Sequence, residues 1–145
     1  MNKAKTFILE IITPLRVKFR GRVKEVYLQA YDGRIGILAN HSPLVAIMRP
    51  GILEAKSWER DFSLAVGEGF IKFTNNQATI LARYAEAPDE VDVEAAKNKK
   101  AELEKEMSVK DLTSEEWGKK YWGLQSAITR LKVSEMKEEK TEQNV

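Results

Sequence analysis

The sequence has no cysteine, a single histidine, and no apolar run long enough to cross a bilayer. Without cysteine there is no disulfide framework and no thiolate zinc site, which fits a reducing, cytoplasmic setting. With His41 the single histidine, a paired-histidine metal site lacks its second ligand, and neither a zinc site nor a catalytic triad is expected. The longest apolar stretches, such as Phe7 to Ile12 with Glu10 inside it, fall far short of the ~20 residues a spanning helix needs. The opening Met-Asn-Lys-Ala-Lys leads into that short run without the apolar core and small-residue site of a secretion signal. Any link to a membrane is therefore expected to run through a partner. Aromatics are scarce at 8%, and the arginines and lysines are not clustered with them, so nucleic acid is not an expected ligand.

What is present falls into two parts. The 145 residues allow one compact domain and a smaller appendage. Residues 1–84 carry 13 Lys/Arg against 7 Asp/Glu, whereas residues 85–145 carry 11 against 15. Opposite signs suggest two modules with different surfaces. The first part reads as short strands: Thr6 to Ile12, Arg22 to Tyr31, Arg34 to Ala39, Val45 to Met48, Ile52 to Ser57, Phe62 to Val66, Phe70 to Thr74 and Gln77 to Arg83. Turn chemistry separates them at Asp32-Gly33, Arg49-Pro50-Gly51, Gly67-Glu68-Gly69 and Asn75-Asn76. Arg22 to Tyr31 mixes polarity on both faces, which predicts a strand packed on two sides.

After Ala87-Pro88 there is no further proline, and Ala, Glu, Lys and Leu take over. Val93, Ala96, Leu103 and Met107 recur at helical period, and the helix is expected to end between Ser108 and Leu112. Thr113-Ser114-Glu115-Glu116 then has the form of a capping box. Beyond it Trp117, Tyr121, Leu124, Ile128 and Leu131 are spaced four, three, four, three, the pattern of a narrow coiled-coil seam. The expected fold is α+β: an N-terminal all-β sandwich of about ten short strands (residues 1–87), then a C-terminal antiparallel two-helix hairpin (residues 88–145). The polar last residues, 137–145, are expected to fray.

No chemistry stands out. His41 beside Ser42-Pro43 reads as a turn histidine, and the glycine pairs of Gly33-Arg34-Ile35-Gly36 and Gly67-Glu68-Gly69 read as turns, since neither sits in a βαβ unit or a Walker loop. Glu102, Glu104 and Glu106 lie among lysines on a solvated helix face. Trp117, Tyr121 and Trp122 are either hairpin core or an anchor for a partner. From residues alone the chain is a binding or structural protein, not an enzyme.

One long stretch carries a resemblance. The segment Tyr31-Asp32-Gly33-Arg34-Ile35-Gly36-Ile37-Leu38-Ala39-Asn40-His41-Ser42-Pro43-Leu44 resembles a signature of the epsilon subunit family of bacterial F-type ATP synthases, in which a Gly-x-x-Gly-Ile turn and strand lead into a His-x-Pro-Leu loop. Arg49-Pro50-Gly51, Val66-Gly67-Glu68-Gly69-Phe70, Ala85-Glu86 with Val91-Asp92-Val93-Glu94-Ala95-Ala96, and Ala127-Ile128-Thr129-Arg130-Leu131-Lys132-Val133 follow in the family's order, over essentially the whole chain. The resemblance implies a non-catalytic central-stalk subunit on the cytoplasmic face of the bacterial membrane. Its sandwich would bind the gamma subunit and the membrane rotor ring (c-ring), the ring contact falling on Asp32, Gly33, Arg34, His41 and Ser42. Its hairpin would either fold up or extend to the alpha and beta catalytic subunits and restrain ATP hydrolysis, with Trp117, Tyr121, Leu124, Arg130 and Lys132 on the regulatory helix.

The chain departs from the family pattern at three points. Arg34 stands where the family commonly has Glu, which reverses the charge offered to the ring. In members that bind ATP on the hairpin, an Ile/Leu-Asp-x-x-Arg-Ala motif and further arginines hold the nucleotide. Here Val91-Asp92 is kept, Ala95 replaces the first arginine, Ser126 replaces another, and only Arg130 remains. Arginine supplies the fork for phosphate oxygens, so ATP binding is expected to be weak or absent and no cofactor is implied. The second helix is also nearly neutral, with 6 Lys/Arg and 5 Asp/Glu from Glu115 to Lys140, so inhibition would rest on packing by Trp117, Tyr121 and Leu124. The alternative in another class is a free-standing sandwich adaptor or chaperone whose hairpin holds a client.

Overall fold

The computed structural model describes residues 5–109 and 111–143, with side chains described as far as residue 136. The chain divides into two compact units, residues 1–85 and 86–145. The first unit is built of β1 (Phe7–Ile12), β2 (Val17–Val23), β3 (Glu25–Ala30), β4 (Gly33–Leu38), β5 (Leu44–Met48), β6 (Gly51–Lys56), β7 (Phe62–Val66), β8 (Gly69–Thr74) and β9 (Gln77–Ala82), and β10 (Ala85–Glu86) lies where the units meet in sequence. The strand order is β10-β7-β6-β3-β5-β8-β9-β1-β2, with β4 on the other side of β3. β3 meets β5 at one position only, Ala30 opposite Met48. That single corner joins two half-sheets, β4-β3-β6-β7-β10 and β5-β8-β9-β1-β2, into a sandwich. β1 and β9 run parallel, whereas β1–β2, β3–β4, β3–β5, β3–β6, β5–β8, β6–β7 and β8–β9 are antiparallel.

Strand alternation fills the interior. Phe7, Leu9 and Ile11 of β1, Ile71 and Phe73 of β8, and Ala78 and Ile80 of β9 line the inner face of one half-sheet, and Val26 and Leu28 of β3 that of the other, all of them fully buried or nearly so. Phe7 and Phe73 meet edge to face at 5.5 Å, the arrangement ring quadrupoles prefer. The turn between β8 and β9 places Asn75 at φ 51° and Asn76 at φ 58°. Two successive left-handed residues make the type I′ hairpin that matches strand twist. Asn76 also ties three segments together, donating to the Thr6 carbonyl at 2.9 Å and accepting from the Asn40 amide at 2.7 Å.

The single strand expected from Arg22 to Tyr31 is two: β2 ends at Val23 and β3 starts at Glu25. Lys24 is the step between them, so Val23 and Val26 are both buried although they lie three apart. β3 is covered on one face only, by burying Val26, Leu28 and Ala30. β2 itself escaped notice because Lys18, Arg20 and Arg22 break up its apolar pattern. Gly36 is not a turn residue but lies inside β4, where the Tyr27 ring covers it so closely that an added Cβ would sit 2.7 Å from the ring.

In the second unit a short 3-10 turn, Pro88–Glu90, leads to α1 (Val93–Met107) and α2 (Ser114–Gln143). Asp92 caps α1 by accepting from the Ala95 amide at 3.0 Å. The expected capping box is present in both halves: the Glu116 amide donates to Thr113 Oγ1 and the Thr113 amide to Glu116 Oε2, each at 3.1 Å. The helices run antiparallel, since Glu106 pairs with Lys120 near the turn, at 3.4 Å, and Leu103 meets Gly123 further along. Backbone is described to Gln143, and the expected fraying of residues 137–145 otherwise lies outside the described residues.

Candidate interaction surfaces

The outer faces of the two half-sheets differ. On the β4-β3-β6 side, polar groups satisfy one another. Arg34 donates to the Ile52 carbonyl at 2.9 Å and pairs with Glu54 at 2.6 Å. The Tyr27 hydroxyl donates to Glu25, which raises the Tyr27 pKa, with loss of solvation and the charges of Glu25 and Glu54 adding to the effect. Lys24 sits 4.1 Å over the Trp58 ring.

The other half-sheet leaves apolar groups in water. Ladder partners lie opposite one another on the same face. Ile47 pairs with Phe70, Phe70 with Leu81, Leu81 with Ile12, and Ile12 with Val17. The five make one row across β5, β8, β9, β1 and β2. Ile47 is 62% exposed, Val17 53%, Phe70 42% and Leu81 36%. Val17 joins the row through a bulge: the register shifts between Ile11 and Ile12, skipping Lys18, so Val17 leaves the face on which Phe19 lies. Val45, at 70%, extends the patch on β5, and the Tyr31 backbone N–H donates to the Ile47 carbonyl at 2.8 Å. Contiguous apolar surface of this kind marks interaction sites on folded proteins.

The sequence reading did not single out this row. The signal it could have used is β5, whose Leu44, Val45, Ala46, Ile47 and Met48 are apolar on both faces. A strand without alternation has something on each side; here the sandwich covers one face only.

Asp32, Gly33 and Arg34 lie at the start of β4, whereas His41 and Ser42 follow its end. Roughly 17–20 Å of strand separates the two groups. They do not converge on one compact site but mark the two ends of a strand that pairs with β3 alone. His41 donates from Nδ1–H to the Ser42 carbonyl, 2.7 Å, and its ring meets Phe73 edge-on at 5.9 Å.

In the hairpin, the expected seam is not the stripe that meets α1. Trp117 is 46% exposed, and Tyr121, Leu124, Ile128 and Leu131 are only half-buried. α1 is met by Lys120, which pairs with Glu106, and by Gly123, on which a Cβ would lie 3.1 Å from Leu103. Small residues let the helix backbones approach, and the larger row is turned aside. Trp117 and Tyr121 stack on each other, 5.0 Å apart and 12° from parallel. Lys132 is exposed.

The remnant of the nucleotide motif lies together in space. Glu86, Glu90, Asp92, Ala95, Ala96, Lys99, Gly123, Ala127 and Arg130 line one cleft of the hairpin, and Val91 is half-buried next to it. Its groups are engaged: Arg130 forks onto Glu86 through Nε at 2.8 Å and Nη2 at 3.1 Å, and Asp92 holds the Ala95 amide. Among the described residues no cluster of carboxylates and imidazoles has the composition of a metal site, and no helix is long and apolar enough to cross a membrane.

A sandwich that offers an apolar row, joined to a hairpin whose cleft closes on itself, defines the class: a docking module, acting through the surfaces it presents. Residues 6–88 match the family model described as ATP synthase, Delta/Epsilon chain, beta-sandwich domain. The ATP synthase epsilon chain of Syntrophomonas wolfei is 36% identical over 133 residues, covering 90% of this chain and 95% of the relative. That of Caldicellulosiruptor bescii is also 36% identical, covering 92% and 96%. The chain therefore belongs to the ATP synthase epsilon family, whose members are accessory and not catalytic subunits. The fold is shared with a chain of the mitochondrial ATP synthase of Euglena gracilis, at a TM-score of 0.73 and 18% identity, covering 86% of this chain and 78% of that one. A chain of the Tetrahymena thermophila mitochondrial ATP synthase central stalk and c-ring shares it at 0.64 and 12%, covering 88% and 95%.

Proposed function

We propose that this epsilon-type chain is a rotor subunit that couples ion flow to ATP synthesis by gripping the gamma subunit and the c-ring. Its place is the cytoplasmic face of the bacterial membrane, held there through those partners. The observation that carries this is the outward row of exposed Ile47, Phe70, Leu81 and Val17 with half-buried Ile12 among them, which suits a permanent partner such as gamma. The free side of β4, from Arg34 to His41, is the ring-facing line in this reading. Because Glu54 already neutralises Arg34, the ring meets an ion pair there, not a lone cation.

The hairpin acts as the restraint on hydrolysis, extending towards the alpha and beta subunits. Its small core supports this role: among the described residues its buried apolar side chains are Ala96, Leu103, Ala127 and Val133, so little is lost when it moves. Trp117 and Tyr121, stacked and partly in water, are the groups that would pack on the catalytic head. Truncation after Pro88, assayed as ATP hydrolysis by the reassembled complex, is expected to raise activity while gamma still co-purifies. Unchanged hydrolysis removes the restraint; loss of gamma from the full chain removes the rotor assignment and favours a free-standing adaptor.

ATP is not a ligand of the hairpin in this reading. Ala95 offers no guanidinium, and Arg130 and Asp92 are engaged within the cleft. Titration calorimetry with ATP is expected to give no binding in the micromolar range, and micromolar affinity would overturn the assignment.

A further inference from the structure

The row on the outer sheet face has a direction and a spacing. Ile47, Phe70, Leu81, Ile12 and Val17 follow one another at right angles to the strands. Neighbouring strands are about 4.8 Å apart, so the four steps span about 19 Å. We infer that the row receives a single amphipathic α-helix of the docking partner, laid across the five strands; this rests on the docking reading above and gives the partner segment its form. A helix repeats one face about every 5.4 Å, so over four steps it drifts from the row by only about 2.4 Å. An extended segment repeats one face about every 6.7 Å and drifts by about 8 Å, more than two residues. A partner strand would add to a sheet edge, whereas this row lies on a face.

Charge adds a second requirement. Lys72 lies on the same face, two residues along β8 from Phe70, and makes no ion pair among the described residues. Glu10, in the same polar row, is taken by Arg20 at 3.1 Å. The flank of the helix above Lys72 therefore carries an acidic side chain.

The test uses the whole ATP synthase complex. Ile47, Leu81 and Val17 are replaced one at a time by p-benzoylphenylalanine, the assembled complex is irradiated, and the attachment points are mapped by mass spectrometry. These positions are two strands apart, about 9.6 Å. The expected result is attachment to one partner segment at intervals of about six to seven residues, the number of helix residues in that distance. Intervals of about three residues, as in an extended chain, or attachment to unrelated loops overturn the helix and leave the docking reading intact. No attachment from any of the three positions in an intact complex overturns the docking reading as well. The Lys72→Glu variant is expected to weaken partner binding several-fold at low salt, with the difference closing at high salt; equal binding at low salt overturns the acidic flank.

Discussion

At the scale of single residues, what matters is whether a side chain is spoken for. Arg34 is paired with Glu54, and Tyr27 with Glu25, on the outer face of β4, β3 and β6. Tyr27 gives a direct measure of the network. Glu25 accepts from the neutral phenol, and ionising it would set two negative charges together, so its pKa lies above 10.0. The contribution to folding is present below the pKa of an unfolded tyrosine and is lost as pH rises through the higher folded value. An ultraviolet difference titration of the protein against Tyr27→Phe is expected to isolate a phenolate transition above pH 10, and Glu25→Gln to move it down. A transition unaffected by Glu25→Gln would break the assignment. Capping was readable at this scale from four letters of sequence: Thr113 and Glu116 are neighbours along the chain, and their geometry follows from local backbone alone.

At the scale of elements, α2 carries two glycines with opposite consequences. Gly118 has nothing within 4 Å of a Cβ, so Gly118→Ala simply restricts the unfolded chain and is expected to stabilise the hairpin by about 1 kcal/mol. Gly123 lies against Leu103, and Gly123→Leu is expected to destabilise it by about 1–3 kcal/mol through overpacking. Helical circular dichroism followed through thermal unfolding reads both; the same sign for the two would mean that α1 does not rest on Gly123. The periodicity of Trp117, Tyr121, Leu124, Ile128 and Leu131 pointed to the wrong stripe for a physical reason. Period identifies large apolar side chains, whereas the approach of α2 to Leu103 falls where α2 has no side chain, at Gly123. β2 was hidden for a related cause: an edge strand with outward arginines does not alternate as an interior strand does.

At the scale of the whole molecule, two units of unequal core share one chain. The sandwich encloses Phe7, Leu9, Ile11, Leu28, Ile37, Met48, Leu53, Ile71, Phe73 and Ile80, whereas the hairpin buries a single large side chain, Leu103, besides two alanines and a valine among the described residues. A fragment of residues 1–87 is therefore expected to unfold cooperatively with native β signal. A fragment of residues 88–145 is expected to show reduced helicity and no cooperative transition. A sharp melt of the isolated hairpin would show that it does not depend on other surfaces and would weaken its role as a movable restraint.

Sequence by itself determined the two-part organisation, the turns at Asp32-Gly33 and Asn75-Asn76, the helical run from Val93, the helix start at Thr113, and the family. These depend on local backbone preference and on residue order, both of which are written along the chain. The tertiary structure alone decided which faces stay in water. The apolar row joins residues as distant as Ile12 and Phe70, and it exists only because a bulge, a parallel pairing of β1 with β9 and a single corner at Ala30 and Met48 put five strands in one register. The same is true of Arg34, whose charge reads as an outward contact until Glu54, twenty residues on, is found beside it. Such contacts arise from chain closure over long separations, and no local pattern encodes them.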